Sequence, residues 1–286
     1  MCAKQLYSDA DLKSVLQTAK EAARAAGRVM QDNLGAAVTK TKCSNKDLLT
    51  EIDPLCQQVI AEKVAEAFPT HKFLGEESVG AGDAASAEAL DNLIGSEWLW
   101  IVDPIDGTTN FVQGMPMSVI SVGVAHRGNL VAGVIMDPYR NELFWASAGN
   151  GAFLNDKQIK TGPERKLSDA VIAAGSPPNI RSIAPSLRGV NALMPECRTI
   201  RMFGSACLHL AWIACGRLSA YFEPDLNSWD TAAGAVILRE AGGRISDLQG
   251  EDYKLSTRPI LASNGHTHDA VLQVLQAARV TGLDPP

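Results

Sequence analysis

The sequence predicts a mixed fold in one unit, an α+β half over residues 1–165 running into an α/β half over residues 166–286. Three features predict it. Helical periodicity is strong at the start, short apolar runs broken by tight turns fill the middle, and strand and helix patterns alternate toward the end, with no linker-like stretch between the halves.

Ser8 and Asp11 form a capping-box signature, and Leu12, Val15, Leu16, Ala19, Ala22, Ala23, Ala26, Val29 and Met30 follow at helical spacing until Gly35. Asp53 with Pro54 at the first helical position opens a second helix, striped by Leu55, Val59, Val64 and Phe68 and stopped by Pro69. Lys72–Leu74 and Leu99–Val102 read as short strands. The small and acidic residues from Val79 to Glu97 read as a loop between them. Val119–Ala125 and Leu130–Met136 read as a hairpin around Arg127-Gly128-Asn129, continued by Leu143–Ala146 and Ala152–Leu154. In the second half, strands are expected at Val171–Ala174, Thr199–Met202, Leu218–Phe222, Gly243–Ile245 and Ile260–Ala262. Helices are expected at Ile183–Met194, Ser205–Cys215, Asp230–Ala241 and Thr267–Ala278. Gly216 and Gly242 fall where a helix end needs a left-handed residue.

Composition narrows the function. With 286 residues, 46% of them hydrophobic, the chain has a sizeable core to bury. Lys+Arg 26 against Asp+Glu 32 gives a net charge of −6, which argues against nucleic-acid or anionic-membrane binding. No apolar run approaches the ~18–20 residues of a membrane span. The N-terminus has no signal-peptide apolar segment, and the six cysteines are scattered without a C-x-x-C pair. A reducing, cytoplasmic setting is expected, and an organelle after loss of a transit peptide fits the same features.

Carboxylates carry the chemistry. They concentrate at Lys46–Asp53, Gly75–Ser78, Trp100–Phe111 and Glu223–Asp230, the last leading into a helix that ends in Glu240-Ala241-Gly242-Gly243. Asp103 ends an apolar strand, Pro104 stops it and Gly107 permits a tight turn, so Asp103 and Asp106 are expected to share a few ångströms. Two ionised carboxylates ~4 Å apart repel by about 4 kcal/mol at an effective dielectric of 20. The pair persists only if one stays protonated or a cation sits between them. The carbonyl of Ile105 adds an oxygen, and a helical turn opening at Gly107-Thr108-Thr109 would present free N–H groups to an anion. A hard cation beside such a seat is the layout of a phosphate-ester site. The donors are all oxygen, which favours Mg²⁺, with Mn²⁺ or Ca²⁺ competing, over zinc. His266 and His268, a close histidine pair, read as a loop near a helix start. Taken singly, Asp53 and Asp230 are plain helix N-caps and the other acids exposed turns; their conjunction in one chain points to a site. No dinucleotide loop, P-loop or nucleophile elbow is present.

At these residues the sequence resembles the inositol monophosphatase family of Mg²⁺-dependent, lithium-sensitive phosphatases. The resemblance is carried by Gly75-Glu76-Glu77, by the whole run Asp103-Pro104-Ile105-Asp106-Gly107-Thr108-Thr109-Asn110-Phe111, and by Trp229-Asp230 ahead of Glu240-Ala241-Gly242-Gly243. It implies a layered α-β-α-β-α sandwich of the inositol monophosphatase and fructose-1,6-bisphosphatase type, a homodimer, and two or three Mg²⁺ ions. By the same resemblance, Glu76, Asp103 and the Ile105 carbonyl would hold one metal, Asp103, Asp106 and Asp230 a second, and Glu76 with waters a third. Asp53 and Thr108 would orient the attacking water and help deprotonate it. Gly107 and Thr108 would seat the phosphate, Glu223 and Ala206 would meet a polyol ring, and Glu77 and Lys42 would support the centre. The implied reaction is in-line displacement by water, without a phosphoenzyme, on a small polyol or sugar phosphate such as myo-inositol 1-phosphate. Histidinol phosphate, L-galactose 1-phosphate, a bisphosphorylated sugar or nucleotide, or a silent metal-binding scaffold are the alternatives. An aspartyl-phosphate enzyme is disfavoured, because two residues separate Asp103 from Asp106 where that nucleophile loop has one.

Overall fold

The computed structural model describes residues 7–41, 48–175 and 179–284. The first half contains α1 (Asp9–Asp32), β1 (Val38–Thr41), β2 (Leu48–Thr50), α2 (Ile52–Ala67), β3 (Lys72–Gly75), α3 (Asp83–Leu93), β4 (Trp98–Asp106) and the short α4 (Thr108–Val112). An antiparallel run follows: β5 (Val119–His126), β6 (Asn129–Asp137), β7 (Glu142–Ser147), β8 (Ala152–Leu154) and β9 (Lys157–Ile159). The second half alternates β10 (Val171–Ala174), α5 (Ile180–Leu193), β11 (Thr199–Arg201), α6 (Ala206–Ala214), β12 (Ala220–Glu223) and α7 (Ser228–Glu240). It closes with β13 (Arg244–Ser246), β14 (Ile260–Ser263) and α8 (His268–Ala277).

The expected five layers are present. A 7-stranded sheet in the order β3-β4-β5-β6-β7-β8-β9 is parallel only at its β3–β4 edge, and a 5-stranded sheet runs β11-β10-β12-β14-β13. The apolar faces of α1 and α2 cover one side of the larger sheet, with Val15, Ala19, Ala23, Cys56 and Ile60 meeting Trp100, Ile120 and Val134. Between the sheets lie α6 and α7, whose Leu210, Ile213, Ala233 and Ile237 pack with Val119, Ile135 and Phe144 below and Tyr221 and Ala262 above. The outer face of the smaller sheet is closed by Leu193 of α5 and by Val271 and Leu275 of α8.

Local rules account for much of this. The Ser8–Asp11 capping box forms as expected. Arg127 and Gly128 take positive φ values of 49° and 78°, the backbone a two-residue hairpin turn requires. Gly216 and Gly242 are left-handed at φ 78° and 88°. Close packing of α7 on the sheet depends on two glycines. A Cβ at Gly123 of β5 would stand 2.6 Å from the Ala232 Cβ, and one at Gly133 of β6 would overlap the backbone of Ala233.

Two expectations fail. The stretch from Val79 to Glu97 is not all loop: it contains α3, whose Ala84, Ala85, Ala87 and Ala89 are strong helix formers and whose Leu90 packs against Leu74, Leu99 and Trp229. Strands β1, β2 and β9 had no sequence signal, since β1 is exposed along its whole length and β9 is nearly so. Among the described residues, Cys56, Cys197, Cys207 and Cys215 are free thiols, and no helix is long and apolar enough to cross a membrane.

Candidate metal centre and active site

The end of β4 holds the centre. In a regular strand, residues three apart face opposite sides. Here the register with β5 shifts between Asp103, opposite Ser121, and Asp106, opposite Val119, so three residues of β4 span two of β5. Pro104 does not stop the strand as expected: β4 runs on to Asp106, and the proline lies within this irregularity, where a missing N–H donor costs the ladder nothing. The bulge brings both acids to one side. Asp230 reaches them from the first turn of α7, and one carboxylate oxygen each from Asp103, Asp106 and Asp230 lies within 4.8 Å of the others.

Each acid is held. Asp103 accepts the Ile105 N–H at 3.0 Å. Asp106 sits on the start of α6, accepting Ser205 Oγ at 2.5 Å, the Cys207 N–H at 2.8 Å and the Ala206 N–H at 3.1 Å. Asp230 accepts the Asn227 N–H at 2.6 Å. Burial pushes the Asp106 carboxyl up to about 6, against the pull of the Ser205, Cys207 and Ala206 hydrogen bonds, and the Glu76 charge pushes the same way. Asp230 is held well above the usual carboxylate range by burial and then by the charges of Glu76 and Asp106. Glu76 itself, in the 3₁₀ turn Glu76–Ser78 after β3, is outside the 4.8 Å group but acts electrostatically on both aspartates. Such a set of buried like charges is satisfied by protons or by a cation, and its all-oxygen donors, with the Ile105 carbonyl alongside, fit a hard divalent ion.

Asp53 and Thr108 meet beside this cluster. The Thr108 hydroxyl lies 3.5 Å from Asp53 Oδ1 and 3.0 Å from the Ile105 carbonyl. Asp53 is not the N-cap of α2 that its position before Pro54 suggests. Glu51 occupies the cap without a side-chain bond, and the other oxygen of Asp53 takes the Thr50 N–H at 2.9 Å and the Thr50 hydroxyl at 2.5 Å. Asp230 is not an N-cap either: Asn227 caps α7, and Asp230 closes a capping box from the third helical position. Both carboxylates are thus turned back toward the centre, one oxygen tied to its own helix start.

The helical turn expected at Gly107-Thr108-Thr109 forms as α4. Gly107 caps it at φ 93° with no side-chain hydrogen bond, leaving first-turn N–H groups that lack intrahelical acceptors. A side chain at Gly107 would press on the Gly204 and Met117 carbonyls at 3.1 Å. Asn110 fixes this turn by donating to the carbonyls of Met117 at 2.8 Å and Phe203 at 2.6 Å. Glu223, at the end of β12, is 5% exposed and accepts the Tyr221 hydroxyl. Burial raises its carboxyl far above the usual range, and the charges of Asp230, Asp106 and Asp225 add to that, so it belongs to the same acidic neighbourhood. Ala206 stands at the site with its N–H already given to Asp106, so any ligand contact there would use its other atoms. The Glu77 N–H is held by Gln57 of α2 at 2.9 Å. Lys42 lies outside the described residues. His268 opens α8 with both ring nitrogens on serine hydroxyls, of Ser246 and Ser263, at 2.9 Å.

Sequence reading missed Ser205, which donates to Asp106; Gln57, which holds the Glu77 N–H; and Arg258, which grips the Asp225–Asn227 loop. Ser205 was discoverable as the N-cap of α6; the other two had no signal.

Residues 11–279 match the model of the Inositol monophosphatase family. The chain is 36% identical over 273 residues to a protein of Solanum lycopersicum named inositol monophosphatase 3, spanning 94% of this chain and 99% of that one. It is 34% identical over 270 residues to a Pseudomonas aeruginosa protein named Nus factor SuhB, spanning 93% of this chain and 97% of that one. The solved IMPase of Thermotoga maritima superposes with a TM-score of 0.82 at 30% identity, covering 93% of this chain and 98% of its own.

Proposed function

The chain belongs to the inositol monophosphatase family and is a metal-dependent phosphoric monoester hydrolase, and from that premise we propose that it hydrolyses a small polyol or sugar phosphate, myo-inositol 1-phosphate foremost, with Mg²⁺ as its metal. The observation that carries this reading is the convergence of Asp103, Asp106 and Asp230 within 4.8 Å, from elements far apart in sequence.

In this reading Asp103, Asp106, Asp230, Glu76 and the Ile105 carbonyl hold two or three Mg²⁺ ions. When bound, Mg²⁺ there lowers the pKa of a coordinated water and neutralises charge on phosphoryl oxygens. The protein's own groups do the rest. Thr108 and Asp53 orient the attacking water, and the Asp53 carboxylate, kept in place by Thr50, receives its proton. The N–H groups of Gly107 and Thr108 face the phosphoryl oxygens. Glu223 accepts a hydroxyl of the leaving polyol, and Ala206 lies against the same ring. Glu77 and Lys42 support the turn and the catalytic water from outside. In this reading the working assembly is a homodimer, and sedimentation of the full chain should give twice the monomer mass.

A panel of phosphomonoesters ranked by kcat/KM tests the substrate. Inositol 1-phosphate should lead histidinol phosphate, L-galactose 1-phosphate and a bisphosphorylated nucleotide. If another member leads by tenfold or more, the substrate assignment moves to it; if none is cleaved with Mg²⁺, the hydrolase reading itself is lost.

A further inference from the structure

The loop between Glu223 and Asp230 joins the acid read as facing the polyol to an acid of the metal cluster, and one residue grips it. The Arg258 carbonyl accepts the Leu226 N–H at 3.1 Å. Its side chain gives Nε to Asp225 Oδ1 at 2.6 Å and Nη1 to Asn227 Oδ1 at 2.7 Å. Three consecutive loop residues are therefore fixed by Arg258. Asn227 is the N-cap of α7, and its own N–H is the 2.6 Å donor to Asp230. The second oxygen of Asp225 takes Asn179 Nδ2 at 3.1 Å. On its other side the guanidinium reaches α3, giving Nη1 to Ser86 Oγ at 3.2 Å and Nη2 to Asp83 Oδ1 at 3.1 Å.

We propose that Arg258 is a positioning residue: by clamping Asp225, Leu226 and Asn227 it sets the Asp230 carboxylate for divalent-cation binding. This rests on the reading of Asp230 as a metal ligand. Only a planar fork with several fixed N–H vectors serves these acceptors at once, so lysine is not an equivalent. Asp225 is 5% exposed, and without Arg258 it would be a buried charge short of its cationic partner, free to drag the loop toward water.

The test uses the full chain, with Mg²⁺ binding followed by titration calorimetry and melting followed in chelator. Arg258→Ala should weaken Mg²⁺ binding by about tenfold or more, the range lost when an outer hydrogen-bond partner of a metal ligand is removed. Arg258→Lys keeps the charge and should retain the fold, with binding weakened but by less than in Arg258→Ala. Asp83→Asn cuts only the α3 arm and should bind Mg²⁺ as the parent does. Parent-like Mg²⁺ binding in Arg258→Lys would overturn the proposal, and so would an Asp83→Asn loss equal to that of Arg258→Ala. Asp103→Asn keeps the two readings apart: if it binds Mg²⁺ as the parent does, the metal assignment of the cluster fails, whatever Arg258 does.

Discussion

Asp53 and Asp230 show how one residue type serves two physical purposes. An aspartate at a helix start satisfies orphan N–H groups, and an aspartate with a second oxygen to spare can also hold a cation or a proton. Composition and spacing cannot separate the two uses, because both need a short carboxylate in the first turn. The separation appears only when the Asp53 carboxylate is seen to meet Thr108 with its second oxygen and the Asp230 carboxylate to lie against Asp103 and Asp106. The nearness of Asp103 and Asp106 was legible in the sequence, but its cause was not: β4 does not stop at Pro104, and a bulge inside the strand turns both acids to one side. Arg258 was not legible, because its acceptors come from segments 31 to 175 residues away. At this scale the expected outcome is direct. Asp103→Asn and Glu76→Gln each lower kcat with Mg²⁺ by about a hundredfold or more, through lost electrostatic stabilisation, and steady-state phosphate release measures it. Unchanged turnover in either variant would take that residue out of the site.

Elements deliver these residues, and their packing sets the tolerance. Helix α7 lies nearly backbone to backbone on β5 and β6, so Gly133→Ala should force it outward and carry Asp230 away from β4. Overpacking of this kind costs about 1–3 kcal/mol; a lowered melting temperature together with weaker Mg²⁺ activation is expected, and a parent-like protein would show the seat to be looser than described. The start of α6 governs pH behaviour through Asp106. Its folded value, pushed up to about 6 by burial, lies above the ordinary 3.8, so in metal-free protein its contribution to stability is present below that ordinary value and lost as pH rises through the folded one. A cation takes the place of the proton. The rise in melting temperature caused by Mg²⁺ should therefore be small near about pH 5 and full above about pH 7, which thermal scans with and without chelator would show; a shift independent of pH would contradict it. Helix α3 marks the limit of reading elements from pattern. Its alanines favour helix while its serine, aspartates and flanking glycines suggest a loop, and only the seat of Leu90 on Leu74 and Leu99 decides.

Across the whole molecule, the division at residue 165 describes topology better than packing. The cluster around α6 and α7 draws on Val119, Ile135, Phe144 and Ala152 from one half and on Tyr221, Ile237 and Ala262 from the other. We expect a single cooperative unfolding transition, with calorimetric and van't Hoff enthalpies equal; two resolved transitions would make the halves independent domains. Layer order was readable in outline because apolar periodicity changes from helix to strand and back along the chain. Which helices fill the space between the sheets was not, since α6 and α7 are apolar on most of their surface and carry no sidedness for a pattern to report. That central filling also bears on how the protein is made. The larger sheet is complete once Ile159 leaves the ribosome, yet the helices that roof its second face are encoded dozens of residues later. Until they arrive, Val119, Ile135 and Phe144 are presented to solvent on a nascent chain, an adhesive surface that a chaperone would bind and that a prematurely terminated product could never conceal.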